Sequence, residues 1–178
     1  MKKTAFLNLQ QAKTIAAQIP TPFHIYDEAG IRRNARALNA AFSWAPAFME
    51  YFAVKALPNP HILRILKEEN CGVDCSSECE LLLAEKAGFS GDYIMFSANA
   101  MPPAEFAHAR ALSAIVNLDD INDIDILKEN GGIPEEICLR FNPGGMFRIG
   151  NTSVPNYVLY SAIITAVVWV IWNKTTFG

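Results

Sequence analysis

The sequence predicts an α/β fold made of repeated β-α units around one parallel sheet. Two observations carry that prediction. From Thr21 onward, short apolar strand-like runs alternate with amphipathic helix-like ones, and Pro, Ser or Asp stands at several of the joins. The composition agrees, because 178 residues at 51% hydrophobic and 19% charged suffice for one buried core and do not suit a chain held open by like charges. One domain is the first expectation.

The elements are read in chain order. Residues 23–27 form a short extended run after Pro22, and Asp27 caps a helix carrying Ile31, Ala35 and Leu38. Residues 48–54 form a strand. Pro58 and Pro60 then break the chain, with Pro60 suited to the first turn of a helix carrying Ile62, Leu63, Ile65 and Leu66. Residues 72–75 are the next strand, and Ser76 or Ser77 caps a helix in which Glu80 completes a capping box. Strands at 93–96, 114–117 and 137–141 follow, separated by helices at 104–112 and 121–129. About five strands of one parallel sheet result. A closed βα barrel takes eight strands and about 250 residues; an open doubly wound sheet fits the same string of elements.

Charge and cysteines narrow the function. A formal net charge of -3 offers no basic field for a polyanion, so no nucleic acid is expected as a partner. The start, through Asn8-Leu9-Gln10-Gln11, lacks an apolar signal core, so a reducing, cytoplasmic setting is expected. Cys71, Cys75 and Cys79 are spaced by four, but a strand-to-helix break among them scatters the thiols, and no metal site is expected; buried apolar thiols are the simpler reading. Residues 157–172 are apolar apart from Ser161 and Thr165 and show no helical face to set against water. Three readings of that tail stand open: translation of shifted or foreign coding sequence, a buried core segment, and a membrane anchor or contact. The chain accordingly divides at residue 151, with 1–151 as one unit and 152–178 as an unrelated apolar tail.

Lys55 is the most informative position for chemistry. It follows the strand Met49-Glu50-Tyr51-Phe52-Ala53-Val54 and precedes the break at Pro58, so its amine belongs to the carboxyl end of a strand, where βα folds place their active sites. Poor solvation there lowers an ammonium pKa and supplies the neutral amine that attacks an aldehyde. The plain alternative is a strand-end lysine reaching for water.

Tyr51-Phe52-Ala53-Val54-Lys55-Ala56 resembles the lysine motif of the alanine-racemase-like, fold-type III pyridoxal-phosphate decarboxylases. Thr21-Pro22-Phe23-His24-Ile25-Tyr26-Asp27 resembles that family's entry into its barrel, Gly72-Val73-Asp74-Cys75-Ser76-Ser77-Glu78-Cys79-Glu80-Leu81 its second-strand motif, and Cys138-Leu139-Arg140-Phe141-Asn142-Pro143-Gly144-Gly145 its fifth. The wording is closest to diaminopimelate decarboxylases, notably across residues 140–145 and at Ile149-Gly150-Asn151. The resemblance covers residues 21–151 and implies a partial (β/α)8 TIM barrel of about five βα units.

The resemblance also implies a pyridoxal 5'-phosphate site. Lys55 would bond the cofactor. Asp74 would be its acidic neighbour, favouring a cation beside it; a strand-end cap is the alternative. Glu80 would lie toward the cofactor ring, although a capping role explains it as well. Arg140 would face the cofactor as a fixed cation, with a surface ion pair as its alternative. Ser97, Ala98 and Asn99 follow the third strand at the same mouth. His24, His61 and His108 match no ring-stacking histidine of the family, and Gly144-Gly145 is a weak phosphate-loop signal.

The implied reaction is decarboxylation of a small amino acid with the cofactor as electron sink, meso-diaminopimelate giving L-lysine and carbon dioxide. Ornithine, arginine or carboxynorspermidine decarboxylation shares the same lysine. The family is homodimeric. The resemblance ends before the family's later phosphate-binding segments and its C-terminal β domain, so a truncated chain without activity of its own is expected. A non-catalytic regulatory fragment and a membrane-tethered one are the competing classes.

Overall fold

The computed structural model describes residues 5–99, 101–140, 145–149 and 151–155. It opens with α1 (Leu9–Gln18), which the sequence reading left as a polar stretch. Asn8 and Gln11 form a reciprocal capping box that starts it. α1 buries none of its residues, and Leu9 is exposed. Residues 23–27 run without strand pairing into α2 (Glu28–Ala41), where Asp27 accepts from the Gly30 backbone N–H at 2.9 Å as expected of a cap.

Five parallel strands follow: β1 (Tyr51–Ala53), β2 (Gly72–Cys75), β3 (Ile94–Ser97), β4 (Ile115–Leu118) and β5 (Ile137–Leu139). The connecting helices are α3 (Pro60–Glu68), α4 (Glu78–Ala87), α5 (Pro103–Ala111) and α6 (Asp123–Asn130). Each of these four helices returns to the sheet through at least one residue in the left-handed region: Asn70 after α3, Gly88 and Gly91 after α4, Ser113 after α5 and Gly132 after α6. β1 is shorter than the sequence suggests, since residues 48–50 precede it and Val54 turns into a 3-10 helix, although the Glu50 carbonyl still accepts from the Gly72 N–H at 2.8 Å.

The strand order β1-β2-β3-β4-β5 follows the chain without reversal. A doubly wound sheet reverses its order at a switch point, whereas a singly wound barrel does not. The topology therefore selects the barrel, of which five strands are described here. Helices cover one face of the sheet. Val73, Cys75, Ile94, Phe96, Val116 and Leu118 pack there against Leu63 of α3, Leu81 and Ala84 of α4, Phe106 of α5 and Leu127 of α6. Gly72 is required where it stands, because a Cβ would lie 2.7 Å from the Tyr51 ring and 2.9 Å from the Tyr93 carbonyl oxygen.

α2 is clasped to the end of α3 by charge. Glu69 accepts from Arg36 Nε at 2.6 Å and Nη2 at 2.7 Å and from Arg32 Nη1 at 3.1 Å, and Asn39 donates to its carbonyl at 2.9 Å. An antiparallel hairpin, β6 (Met146–Ile149) and β7 (Thr152–Pro155), straddles residue 151. No helix among the described residues is long and apolar enough to cross a membrane; the apolar run 157–172 lies outside them.

Candidate functional site

Alternation along the parallel strands sends every second side chain to the face without helices. Residues in register with one another on that face are Ala53 and Asp74, Asp74 and Met95, Ser97 and Asn117, and Asn117 and Cys138. Met95 and Ile115 pair toward the amino ends of their strands, while Asp74, Ser97 and Asn117 stand toward the carboxyl ends. Lys55 follows β1 and Arg140 follows β5, so the expected site residues other than Glu80 surround one mouth.

Lys55 departs from the expectation of poor solvation. β1 ends at Ala53, a one-turn 3-10 helix spans Val54–Ala56, and within it Val54 is fully buried while Lys55 is exposed. Two features cause this. The 3-10 turn ahead of Pro58 turns successive side chains by about 120°, so Val54 and Lys55 face different ways, and β1 is an edge strand of the described sheet, with nothing paired on its outer side. The lysine nonetheless follows the carboxyl end of β1, the same end at which Asp74 stands on β2.

Asp74 is half-buried, and its Oδ1 is buried with no hydrogen-bond partner among the described residues. Burial pushes its carboxyl above the ordinary range. The polar Ser97 side chain and the charge of Lys55 pull it back, Glu80 pushes it further up, and Arg140 lowers it.

Arg140 is tied at three points across three strand ends. Its backbone N–H donates to the Leu118 carbonyl at 2.8 Å, its Nε to Asp119 Oδ1 at 2.6 Å, and its Nη2 to Asn99 Oδ1. The Asp119 bond favours the protonated guanidinium still further. Arg140 is exposed, so its pairing with Asp119 also satisfies the surface ion pair weighed for it, while the three bonds hold the cation beside the strand ends.

Glu80 is engaged at the start of α4. It accepts from the Ser76 backbone N–H at 2.8 Å and lies 3.2 Å and 3.3 Å from the Ser76 hydroxyl, whereas the N-cap Ser77 makes no side-chain cap bond. Its contacts serve the capping role. Among the other candidates, Ala98 is buried, Asn99, His24 and His61 are exposed, and His108 on α5 bonds Glu78 at 2.8 Å. Cys71 and Cys75 are buried, and burial pushes the Cys75 thiol up to about 12; Cys79 is exposed, against the buried-thiol reading. Gly144 lies outside the described residues. A cavity of about 530 Å³ at the opposite, amino-terminal ends is lined by Asp92, Ser113, Glu135 and Glu136 and holds none of the expected residues.

Residues 28–151 match the family model for the pyridoxal-dependent decarboxylase, pyridoxal binding domain. The chain belongs to that family. It is 43% identical over 127 residues to Protein TabA of Pseudomonas amygdali pv. tabaci, covering 71% of this chain and 29% of that protein. Against the diaminopimelate decarboxylase of Methanothermobacter thermautotrophicus it is 34% identical over 133 residues, covering 74% and 31%. The crystal structure of diaminopimelate decarboxylase from Helicobacter pylori complexed with L-lysine superposes with a TM-score of 0.64 at 27% identity, covering 75% of this chain and 34% of that one. The chain thus spans about a third of the length of the relatives it matches.

The mouth fits the pyridoxal cofactor of that family. It offers one amine at Lys55, one buried carboxylate oxygen at Asp74 without a partner among the described residues, and one cation at Arg140 held by Asp119 and Asn99. The sequence reading missed Asn117 and Asp119. Asn117 Nδ2 donates to Ser97 Oγ at 3.2 Å, and Asp119 holds Arg140. Alternation along 115–118 was a usable signal for Asn117, since it puts that residue on the face opposite Val116. Asp119 follows a strand end as Arg140 does, but their meeting depends on register and is not visible in either segment alone.

Proposed function

We propose that this chain supplies the lysine-bearing side of the active site of an amino-acid decarboxylase of the diaminopimelate type. The observation that carries the proposal is the buried Asp74 Oδ1, without a partner among the described residues, lying in the field of Lys55 and Arg140 at the carboxyl ends of the strands. In this reading Lys55 presents the amine that bonds the cofactor aldehyde. Asp74 stabilises positive charge beside it, and Arg140, held by Asp119 and Asn99, offers a fixed cation to an anionic oxygen. When bound, pyridoxal phosphate supplies the electron sink for loss of carbon dioxide. The substrate is a small amino acid, meso-diaminopimelate in the first instance, and the working enzyme is a homodimer, both by likeness to the family.

The chain by itself is expected to attach the cofactor and not to turn over. An exposed Lys55 on an edge strand leaves the reacting centre open to water, and exclusion of water is what strengthens charge interactions at such a centre. Borohydride reduction of the purified chain incubated with pyridoxal phosphate, followed by peptide mapping, tests the site. A phosphopyridoxyl group on Lys55, lost in Lys55→Ala, is the expected result. Modification spread over other lysines with Lys55 untouched would overturn the reading. Release of carbon dioxide from diaminopimelate by the chain alone would overturn the expectation of inactivity.

A further inference from the structure

The described sheet ends in two open edges, β1 and β5. Successive residues of a strand turn their backbone groups alternately to its two sides. The Glu50 carbonyl accepts from Gly72, so Glu50 and Phe52 turn toward β2, and Tyr51 turns its N–H and carbonyl to the open side. On β5 the Arg140 N–H donates to Leu118, so Cys138 and Arg140 turn toward β4, and Ile137 and Leu139 turn outward. Each edge thus offers donors and acceptors that meet no strand among the described residues.

The surfaces beside the two edges match. Next to β1 runs an apolar groove of about 250 Å³, lined by Ile31, Ala35 and Leu38 of α2, Phe52 of β1 and Leu66 of α3. It lies on the helix-covered face, since Phe52 is in register with the core residue Val73. Beside β5 stands the complementary shape. Ile137 and Leu139 are in register with buried Val116 and Leu118 and so face the same side of the sheet, yet Leu139 is exposed. The helices flanking the edges also differ in charge. α2 carries Arg32, Arg33 and Arg36 against Glu28, and α6 carries Asp123, Asp125 and Glu129 against Lys128. Like edges would fit poorly, because β1 on β1 sets arginines against arginines and β5 on β5 gives neither Leu139 a groove.

We propose that the β1 edge and its groove receive the β5 edge of a second copy of this chain, strand parallel to strand, with Ile137 and Leu139 of the incoming copy in the groove and its α6 beside α2. The contact is heterologous, one edge of each copy meeting the other edge of the next. Lys55 follows β1, so the incoming strand also covers the side left open to water there. The pairing does not depend on whether Lys55 takes a cofactor.

Sedimentation velocity on the full chain, alone and in mixtures, tests the proposal, with circular dichroism to check that each variant folds. The parent is expected to associate reversibly. Leu139→Lys on β5 and Leu38→Lys on α2 are each expected to weaken that association by about tenfold or more, as for one leucine no longer buried. Mixed in equal amounts, the two variants are expected to pair, because the first keeps a sound groove and the second a sound β5 edge. If Leu38→Lys does not fold, Arg33→Glu takes its place. Arg33 is exposed on α2, and its reversal is expected to weaken association by about threefold, as for a surface charge pair; unchanged association would refute the proposal. A parent chain that stays monomeric, as when its own residues 157–172 fill the groove, would overturn it. So would association indifferent to both leucine substitutions, or variants that fail to pair on mixing, the mark of like edges meeting.

Discussion

Burial pushes the Asp74 carboxyl up, so the folded chain holds that proton more firmly than the unfolded chain does. Ionised Asp74 therefore opposes folding at neutral pH, and the opposition fades as pH falls through its folded-state value. Asp74→Asn is expected to raise the thermal midpoint at neutral pH, to leave it nearly unchanged near pH 3, and to weaken attachment of pyridoxal phosphate to Lys55. Melting curves at the two pH values and the reduction assay check both halves, and the opposed signs are the signature of a residue kept for function. Glu69 behaves in the opposite sense. Hydrogen bonding to Arg36 is the main cause holding its carboxyl down from 4.5 to about 2, with burial opposing and Arg32 assisting. A lowered folded-state value contributes stability that is complete above the ordinary value and is lost as pH falls toward 2. The deficit of Glu69→Gln relative to the parent, followed by denaturant unfolding, is therefore expected to be widest above pH 5 and to close in acid.

The βα units take their stability from one layer of packing. Phe106 of α5 is fully buried and meets Phe96 of β3 edge to face, with ring centroids 6.4 Å apart. Phe106→Ala is expected to lose about 3–5 kcal/mol in urea unfolding, the usual range for a buried aromatic truncated to a methyl group. Glu80→Ala is expected to lower stability by about 1 kcal/mol, as for a lost helix cap, and to leave Lys55 reduction unchanged; a lost adduct would restore Glu80 to the cofactor. The buried strands were legible in the sequence because Gly72 and the apolar runs after it announce themselves, and α3 because Pro60 and Asn59 mark its start. α1 was missed although Asn8 and Gln11 spell its cap, because its apolar residues find no core to face. α6 starts two residues later than its periodicity suggests, since Asp120 binds the Asn122 backbone and amide and holds Ile121 in a turn. Arg140 was legible as a candidate, but its ties to Asn99 and Asp119 cross strands and so depend on register.

Across the whole molecule, sequential strand order and a one-sided helix layer identify part of a barrel, a choice that periodicity alone left open. The exposure of Lys55 matches the strand-end lysine reaching for water that the sequence offered as the plain alternative; the residues around it in sequence did not choose between that and poor solvation, because the choice depends on what stands beside β1. The same openness leaves Leu139 of β5 67% exposed, close to Ile121 at 79%. Unpaired strand edges next to exposed apolar side chains favour self-association. Light scattering of the purified chain is expected to show concentration-dependent growth, reduced by Leu139→Lys. The most direct measurement of the central claim is a crystal structure of the chain soaked with pyridoxal phosphate. The account predicts density joined to Lys55 Nζ at the carboxyl ends of the strands, with Asp74 Oδ1 facing it. Cofactor bound only in the acidic cavity at the amino-terminal ends, with Lys55 free, would contradict it.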